Sequence, residues 1–119
     1  MSVANGAVHV KRIVSAVDCG TAVNPDGVRA MLEGAVNFAL TPVLSDEITF
    51  QEGAVKQSNF HDYRVLRIDD APDIEVHLVS STLPPEGMGE PGVPPLAPAV
   101  ANAVFAAAGK RTRLPIARL

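Results

Sequence analysis

The chain has little of several things on which many small proteins depend. Its 119 residues contain one cysteine, no tryptophan and only 4% aromatic residues. A single cysteine excludes an intramolecular disulfide and fits a reducing cytoplasm. Because aromatic side chains are scarce, the core has to be built from Val, Ala, Leu and Ile, which are plentiful in a chain that is 47% hydrophobic. The length suits a single domain over residues 1–119.

Excess positive charge and long apolar runs are also missing. Lys and Arg total 10 against 13 Asp and Glu, and the one basic cluster, Lys110–Arg113, is interpreted as a solvated helix end. We therefore expect no nucleic-acid binding. No apolar run approaches the roughly 20 residues that cross a bilayer, and Met1–Gly6 lacks the features of a signal peptide. The sequence predicts no membrane association and a cytoplasmic location, with assembly in the periplasm left open.

The apolar periodicity predicts an α+β fold with a mainly antiparallel sheet. β-branched residues at alternating positions indicate strands, and Asn5-Gly6 and Glu52-Gly53 are typical turn signals. The strands are expected at Ala7–Asp18, in a hairpin over residues 48–57 and at Ile74–Val79, with a less regular extended segment at Phe60–Ile68.

Two main helices, over about residues 25–40 and 97–108, are expected to pack on this sheet. Asn24 is a suitable N-cap, and Pro25 suits the first helical position. Gly109 suits the end of the second helix. Gly34 lies in the middle of the first helix, where glycine costs about 1 kcal/mol relative to alanine. It indicates close approach by another group, and tight helix packing is the simplest cause.

The residues that commonly bind metals are dispersed. His9, His61, His77 and Cys19 lie far apart and show no pairwise ligand spacing, so the sequence predicts no metal site. Cys19 has no histidine beside it that would activate a thiol, and it is expected to be buried at the end of a strand.

The segment Glu86–Gly92 is the unusual feature of the chain. It places Glu90 among glycines, which let the backbone approach a ligand closely, and Pro91 restricts the conformation of Glu90. Such a loop holds one carboxylate rigidly just before a helix, as a general base requires. An ordinary surface loop rich in Gly and Pro has the same composition, so this segment alone leaves both interpretations open.

Several segments, in the same order along the chain, resemble the molybdopterin-binding large subunits of the xanthine dehydrogenase and aldehyde oxidase superfamily, most closely the isoquinoline 1-oxidoreductase β-subunit type. The resemblance covers nearly the whole chain. The segments that carry it are Ala16–Gly20, Val23–Val28, Glu33-Gly34, Gln57–Tyr63, Ala71-Pro72, Ile74–His77, Gly87–Gly92 and Pro94–Ala103.

The resemblance implies a role for the Glu90 loop. Members of this family hydroxylate a carbon next to a ring nitrogen, or an aldehyde carbon, with a molybdopterin cofactor that in many bacterial members is the cytosine dinucleotide form. The glutamate of their Gly-x-Gly-Glu-Pro turn acts as the catalytic base, and this role maps onto Glu90. The resemblance also places Gly87, Met88 and Gly89 beside the cofactor, together with Met31 and Gly34 from the first helix.

The chain also departs from the family. Relatives often have glutamine at the position of Met31, and a thioether cannot replace the donors and acceptors of an amide. The family's large subunit is several times longer, and an iron–sulfur domain needs several cysteines. We therefore expect a fragment or split subunit that needs the remaining large-subunit domains and an iron–sulfur subunit. Alone, it is expected to bind no cofactor and to form a homo-oligomer. The alternative is a non-catalytic, self-associating module.

Overall fold

The computed structural model describes residues 1–116 and confirms the α+β class. Within this part of the chain, six short strands and two helices form the regular structure, with a 3-10 turn at Ile68–Asp70 before the last strand. None of the helices described is long and apolar enough to cross a membrane. In chain order the elements are β1 (Ser2–Ala4), β2 (Ala7–His9), β3 (Arg12–Val17), α1 (Pro25–Leu44), β4 (Phe50–Gln51), β5 (Ala54–Val55), β6 (Asp73–Leu78) and α2 (Leu96–Ala108).

The strands form three separate pairs. The β1–β2 and β4–β5 pairs are antiparallel hairpins, whereas the longest pair, β3–β6, is parallel and runs from Arg12 opposite Asp73 to Val17 opposite Leu78. The predicted turns are confirmed, since Asn5-Gly6 and Glu52-Gly53 both have positive φ, the geometry that tight hairpins require. Two of the three pairs are therefore antiparallel, but they do not join into one sheet.

The single strand expected at Ala7–Asp18 is wrong. It is interrupted at Val10-Lys11, because the chain leaves its pairing with β1 after His9 and begins its pairing with β6 at Arg12. The two halves of the apolar pattern thus belong to different sheets.

Helix α1 begins as predicted and ends later. The Asn24 side chain accepts a hydrogen bond from the Gly27 N–H at 3.1 Å, and Pro25 is the first helical residue. The prediction stopped at residue 40, but the buried stripe continues to Val43, which is 2% exposed. Burying such a side chain contributes about 1.5–3 kcal/mol, which offsets much of the cost of roughly 3 kcal/mol that Pro42 imposes inside the helix. The helix ends where the Ser45 N–H donates to the Thr41 carbonyl.

Helix α2 packs against α1, and the pair carries most of the core. It ends as predicted at Gly109, whose φ is +67° and whose N–H donates to the Phe105 carbonyl at 2.8 Å. Ile116 closes this core by donating to the Val43 carbonyl at 2.7 Å. The main core consists of Val8, Val10, Val36, Ala39, Leu40, Val43, Leu96, Val100, Val104 and Ile116.

The extended segment predicted at Phe60–Ile68 is wrong over its first residues, whereas Arg67 has extended backbone as predicted. Residues 60–63 form turns, because the Asp62 carboxylate binds back to its own loop, accepting hydrogen bonds from the Ser58 and Asn59 N–H groups at 2.9–3.0 Å. These bonds, together with a hydrogen bond from the Ser58 hydroxyl and the nearby His61, lower the pKa of Asp62 to about 2.

Candidate functional site

The loop that carries Glu90 is anchored where it leaves β6. Both the N–H and the hydroxyl of Thr21 donate to the Leu83 carbonyl, at 2.9 and 2.8 Å, and the Glu86 N–H donates to the Cys19 carbonyl at 2.9 Å. The first part of the loop is therefore fixed against the segment that follows β3. Cys19 itself is 4% exposed, which confirms the prediction that it is buried.

Gly20 makes this anchor possible. Its φ is +67°, and a Cβ at this position would lie 2.0 Å from the Pro84 carbonyl oxygen. No other residue type fits there without moving the loop. This role of Gly20 was not predicted, because its signal depends on a contact with a residue more than sixty positions away.

The far end of the loop is anchored on α1. A Cβ on Gly92 would lie 3.0 Å from the Ala35 Cβ and 3.2 Å from the Leu32 Cδ2, so the backbone there lies almost directly on the helix. The Val93 N–H donates to the Glu90 carbonyl at 3.1 Å and closes a tight turn. Glu90 consequently lies between two fixed points rather than in a free loop.

The Glu90 side chain itself projects into solvent. It is exposed, and its carboxylate has no hydrogen-bond partner among residues 1–116. Gly87 and Gly89 are also exposed and open on their Cβ side, whereas Met88 is half-buried. Neither glycine has a positive φ, so what they provide is open access to the backbone.

The two α1 residues predicted at the site, Met31 and Gly34, are exposed on the surface of the helix. Met31 is 47% exposed and lies one helical turn before Ala35, the residue that Gly92 touches. Gly34 is exposed, with no heavy atom within 4 Å of the position of a Cβ. Tight helix packing at Gly34 was therefore wrong for this chain, since that side of the helix is open.

Of two clefts that residues 1–116 form, one borders the Glu90 loop. A cleft of about 260 Å³ is lined by residues 13–17, by Leu32 and Val36 of α1, and by Pro91 and Gly92. A larger cleft of about 580 Å³ lies at the other end of α1, beside Leu44 and Ser45. The first cleft belongs to the neighbourhood of the candidate site, and the second does not.

The histidines are not brought together by the fold. His77 pairs with Glu75 at 2.6 Å, and His61 lies 3.6 Å from Asp62. Glu75 also binds Arg12 across the β3–β6 pair, and these two partners lower the pKa of Glu75. In the part of the chain that the structure describes, no group of three or more His, Cys, Asp or Glu residues could hold a metal ion.

Comparison with known proteins identifies a family for this chain. The family model of the molybdopterin cofactor-binding domain matches residues 1–72. The membrane-bound aldehyde dehydrogenase (pyrroloquinoline-quinone) of Gluconacetobacter polyoxogenes is 39% identical over 91% of the chain and 14% of its own length. The isoquinoline 1-oxidoreductase β-subunit of Brevundimonas diminuta is 35% identical over 89% of the chain and 14% of its own length. The chain thus spans about one seventh of these relatives.

A solved structure supports the fold. The CO dehydrogenase from Oligotropha carboxidovorans superposes with a TM-score of 0.82 at 23% identity, over 93% of this chain and 15% of that one. The resemblance drawn from the sequence segments is therefore confirmed at the level of family and fold. The Glu90 loop lies beyond the 72 residues of the family match, although the two relatives align over nearly the whole chain.

Proposed function

Because the chain belongs to the molybdopterin cofactor-binding domain family, we propose that it is part of the large subunit of a molybdenum hydroxylase and contributes the catalytic base Glu90. The observation that carries the proposal is the geometry of the loop. Gly20 and Gly92 fix its two ends by close backbone contacts, while the Glu90 carboxylate between them stays exposed and unpaired among the described residues.

Glu90 acts in this proposal as a proton acceptor. A general base has to be held within hydrogen-bond reach of the proton that it removes. The anchored loop restricts the position of the Glu90 backbone, and the lack of an internal partner leaves its carboxylate oxygens available. The side chain has no hydrogen bond or ion pair among residues 1–116, which supports a role toward a group outside this chain.

The surface around Glu90 fits one wall of a cofactor site. Three glycines leave open backbone that a flat pterin could approach closely, namely Gly87, Gly89 and Gly34. The cofactor would be bordered by these glycines together with Met88 and Met31. The resemblance implies molybdopterin in its cytosine dinucleotide form. This cofactor would supply the redox centre that takes up electrons from the substrate. Residues 1–116 offer no opposing wall, so we expect the isolated chain to bind no cofactor.

The assembly is expected to contain further pieces. The names of several relatives describe them as subunits, among them the β-subunit of isoquinoline 1-oxidoreductase and the large subunit of nicotine 6-hydroxylase. We propose that this chain works with the remaining large-subunit domains and an iron–sulfur subunit, on an N-heterocycle or an aldehyde. The single cysteine favours the cytoplasm as its location.

Self-association is a second candidate function. Val23, Phe38 and Phe60 are 82%, 73% and 82% exposed, and exposed apolar surface of this kind promotes association. In isolation the chain is expected to form a homo-oligomer. If it never joins a larger enzyme, it is a non-catalytic module whose only activity is self-association.

Replacing the base in the assembled enzyme tests the proposal. We expect Glu90→Gln to lower kcat for hydroxylation by about 100-fold or more, the usual effect of losing a general base, while the molybdenum content stays unchanged. Glu86→Gln is the matched control, because it neutralises an exposed carboxylate in the same loop. Hydroxylation that is unaffected by Glu90→Gln would refute the role of Glu90.

Recovering the assembly separates the two functions. The large-subunit and iron–sulfur pieces encoded by neighbouring reading frames are co-expressed with this chain, and the purified product is assayed for molybdenum. Co-purification with molybdenum supports the hydroxylase. A chain that purifies only with itself supports the self-associating module.

A further inference from the structure

Strand β3 has one unpaired backbone edge. Its partner is β6, and the bonds at the two ends of the pair run from the Asp73 N–H to the Lys11 carbonyl at 3.0 Å and from the Val79 N–H to the Val17 carbonyl at 2.9 Å. The odd-numbered residues therefore face β6. Because successive residues of a strand direct their polar groups to opposite edges, Arg12, Val14 and Ala16 direct their N–H and carbonyl groups away from β6. No strand within residues 1–116 pairs with that edge.

A cleft follows this unpaired edge. The 260 Å³ cleft is lined by all five residues from Ile13 to Val17. Consecutive strand residues alternate between the two faces, so a cleft that touches all five runs along the backbone edge rather than over one face. Its floor is apolar and comes from the helices and the loop between them, through Leu32, Val36, Pro91, Gly92, Pro95, Leu96 and Ala99.

We propose that this cleft receives an extended strand from a part of the large subunit that lies outside these 119 residues. The inference rests on the proposed function, since it assigns a binding surface to the same assembly. Parallel sheets occur almost only where both faces are covered, and isolated two-stranded sheets are at best marginally stable. The aligned relatives are about seven times longer than the segment matched here, so there is ample chain to supply the strand.

The cleft favours a single strand over a second copy of the chain. An added strand would continue the order β6–β3–new strand and lie on the floor formed by α1 and the start of α2. A second copy paired through its own β3 would bring its own two helices to the same side of the sheet. The helix residues that line the cleft in the first copy already lie on that side of the sheet.

The edge also specifies the character of the strand. Arg12 and Asp18 are exposed at its two ends, and the residues between them are uncharged. Ile13 and Val17 turn toward the helices and are partly buried. The partner is therefore a strand of about six residues that is apolar toward the helix floor.

Hydrogen exchange of the wild-type protein tests the proposal directly. The isolated chain and the assembly with the co-expressed large-subunit pieces are compared by mass spectrometry with residue-level fragmentation. We expect exchange at Arg12, Val14 and Ala16 to slow at least tenfold on assembly. Ile13, Ser15 and Val17 serve as internal controls, because their amides already face β6 in the isolated chain.

Each other outcome of this experiment has a separate meaning. An assembly that forms while Arg12, Val14 and Ala16 stay unprotected overturns the strand proposal and leaves the proposed function intact. Pieces that never assemble refute the proposed function, and the strand proposal with it. Protection that appears in the isolated chain and rises with its concentration assigns the edge to a second copy and overturns the partner named here.

A proline pair provides the second test. Val14→Pro removes an N–H that points away from β6, a position that an edge strand tolerates, whereas Ser15→Pro removes one that faces β6. We expect Val14→Pro to leave the isolated chain folded by circular dichroism and to weaken assembly at least tenfold. Ser15→Pro is expected to destabilise the chain itself. Assembly of a folded Val14→Pro chain with wild-type affinity would contradict the proposal, and the exchange experiment decides if that variant does not fold.

Discussion

At the scale of single residues, two glycines with opposite surroundings define the candidate site. Gly20 has a positive φ and lies against the Pro84 carbonyl, whereas Gly34 is open to solvent on a helix. The first is needed for a contact within the chain. The second has no contact of this kind among residues 1–116, and we propose that its small size admits a group that approaches from outside.

Replacing Gly20 should therefore be costly. Gly20→Ala places a Cβ 2.0 Å from a carbonyl oxygen at a φ of +67°. The unfavourable backbone region costs roughly 1–2 kcal/mol, and overpacking adds about 1–3 kcal/mol. We expect urea denaturation to show a loss of at least about 2 kcal/mol in the free energy of unfolding. A stability equal to wild type would show that the Leu83–Glu86 segment does not lie against Gly20.

Replacing Gly34 should instead raise the free energy of unfolding. The added Cβ of Gly34→Ala meets nothing within 4 Å, and alanine is favoured over glycine in a helix by about 1 kcal/mol. The isolated chain is expected to gain up to about that amount in the same urea assay. If Gly34 borders the cofactor or another domain, the variant should also lower the molybdenum content of the assembly. A destabilised isolated chain would contradict the open helix face.

At the scale of elements, the loop Ser58–Asp62 is held by one carboxylate. Asp62 accepts hydrogen bonds from the Ser58 N–H and hydroxyl and from the Asn59 N–H. These bonds hold its pKa at about 2, below the ordinary value near 3.9. A carboxyl with a lowered pKa contributes its stabilisation in full above the unfolded value, and that contribution is lost as the pH falls through the folded value.

The loop should consequently open in acid. Between about pH 4 and pH 2, we expect the amide resonances of Ser58 and Asn59 to move with a single apparent pKa near 2. Asp62→Asn is the control, because its amide cannot titrate and should remove the transition. A midpoint at the ordinary aspartate value would show that these hydrogen bonds are not formed in solution.

The elements also show which features local sequence could predict. The helix caps and hairpin turns act through their immediate neighbours, and each was predicted at the correct residues: Asn24, Asn5-Gly6, Glu52-Gly53 and Gly109. Other features depend on residues far away along the chain. These are the break between β2 and β3, the parallel β3–β6 pairing, and the anchors at Gly20 and Gly92. Local patterns contain no information on such contacts.

At the scale of the whole molecule, the chain is more extended than a self-contained domain. Its radius of gyration is 16.5 Å, with extents of 54 × 34 × 24 Å, whereas about 13.5 Å is expected for a compact domain of this length. Many large apolar side chains remain at the surface, including Ile68 at 94% exposure. A shape of this kind, with β3 unpaired on one edge, fits a piece whose surfaces are covered within something larger.

Self-association of the isolated chain follows from that exposed surface. The α1 outer face, which consists of Met31, Gly34, Phe38 and Pro42, is exposed along its length, and burying its apolar area against a second copy would recover about 25 cal/mol per Å². We expect light scattering after size exclusion to show a dimer or larger species, and Phe38→Ser to shift it toward monomer. Phe50→Ser is the matched control, because Phe50 is 72% exposed but lies on the β4–β5 hairpin.

A clean monomer at high concentration would rule out self-association and, with it, the non-catalytic alternative. Equal effects of the two serine variants would show that exposed area in general, rather than the α1 outer face, drives the association.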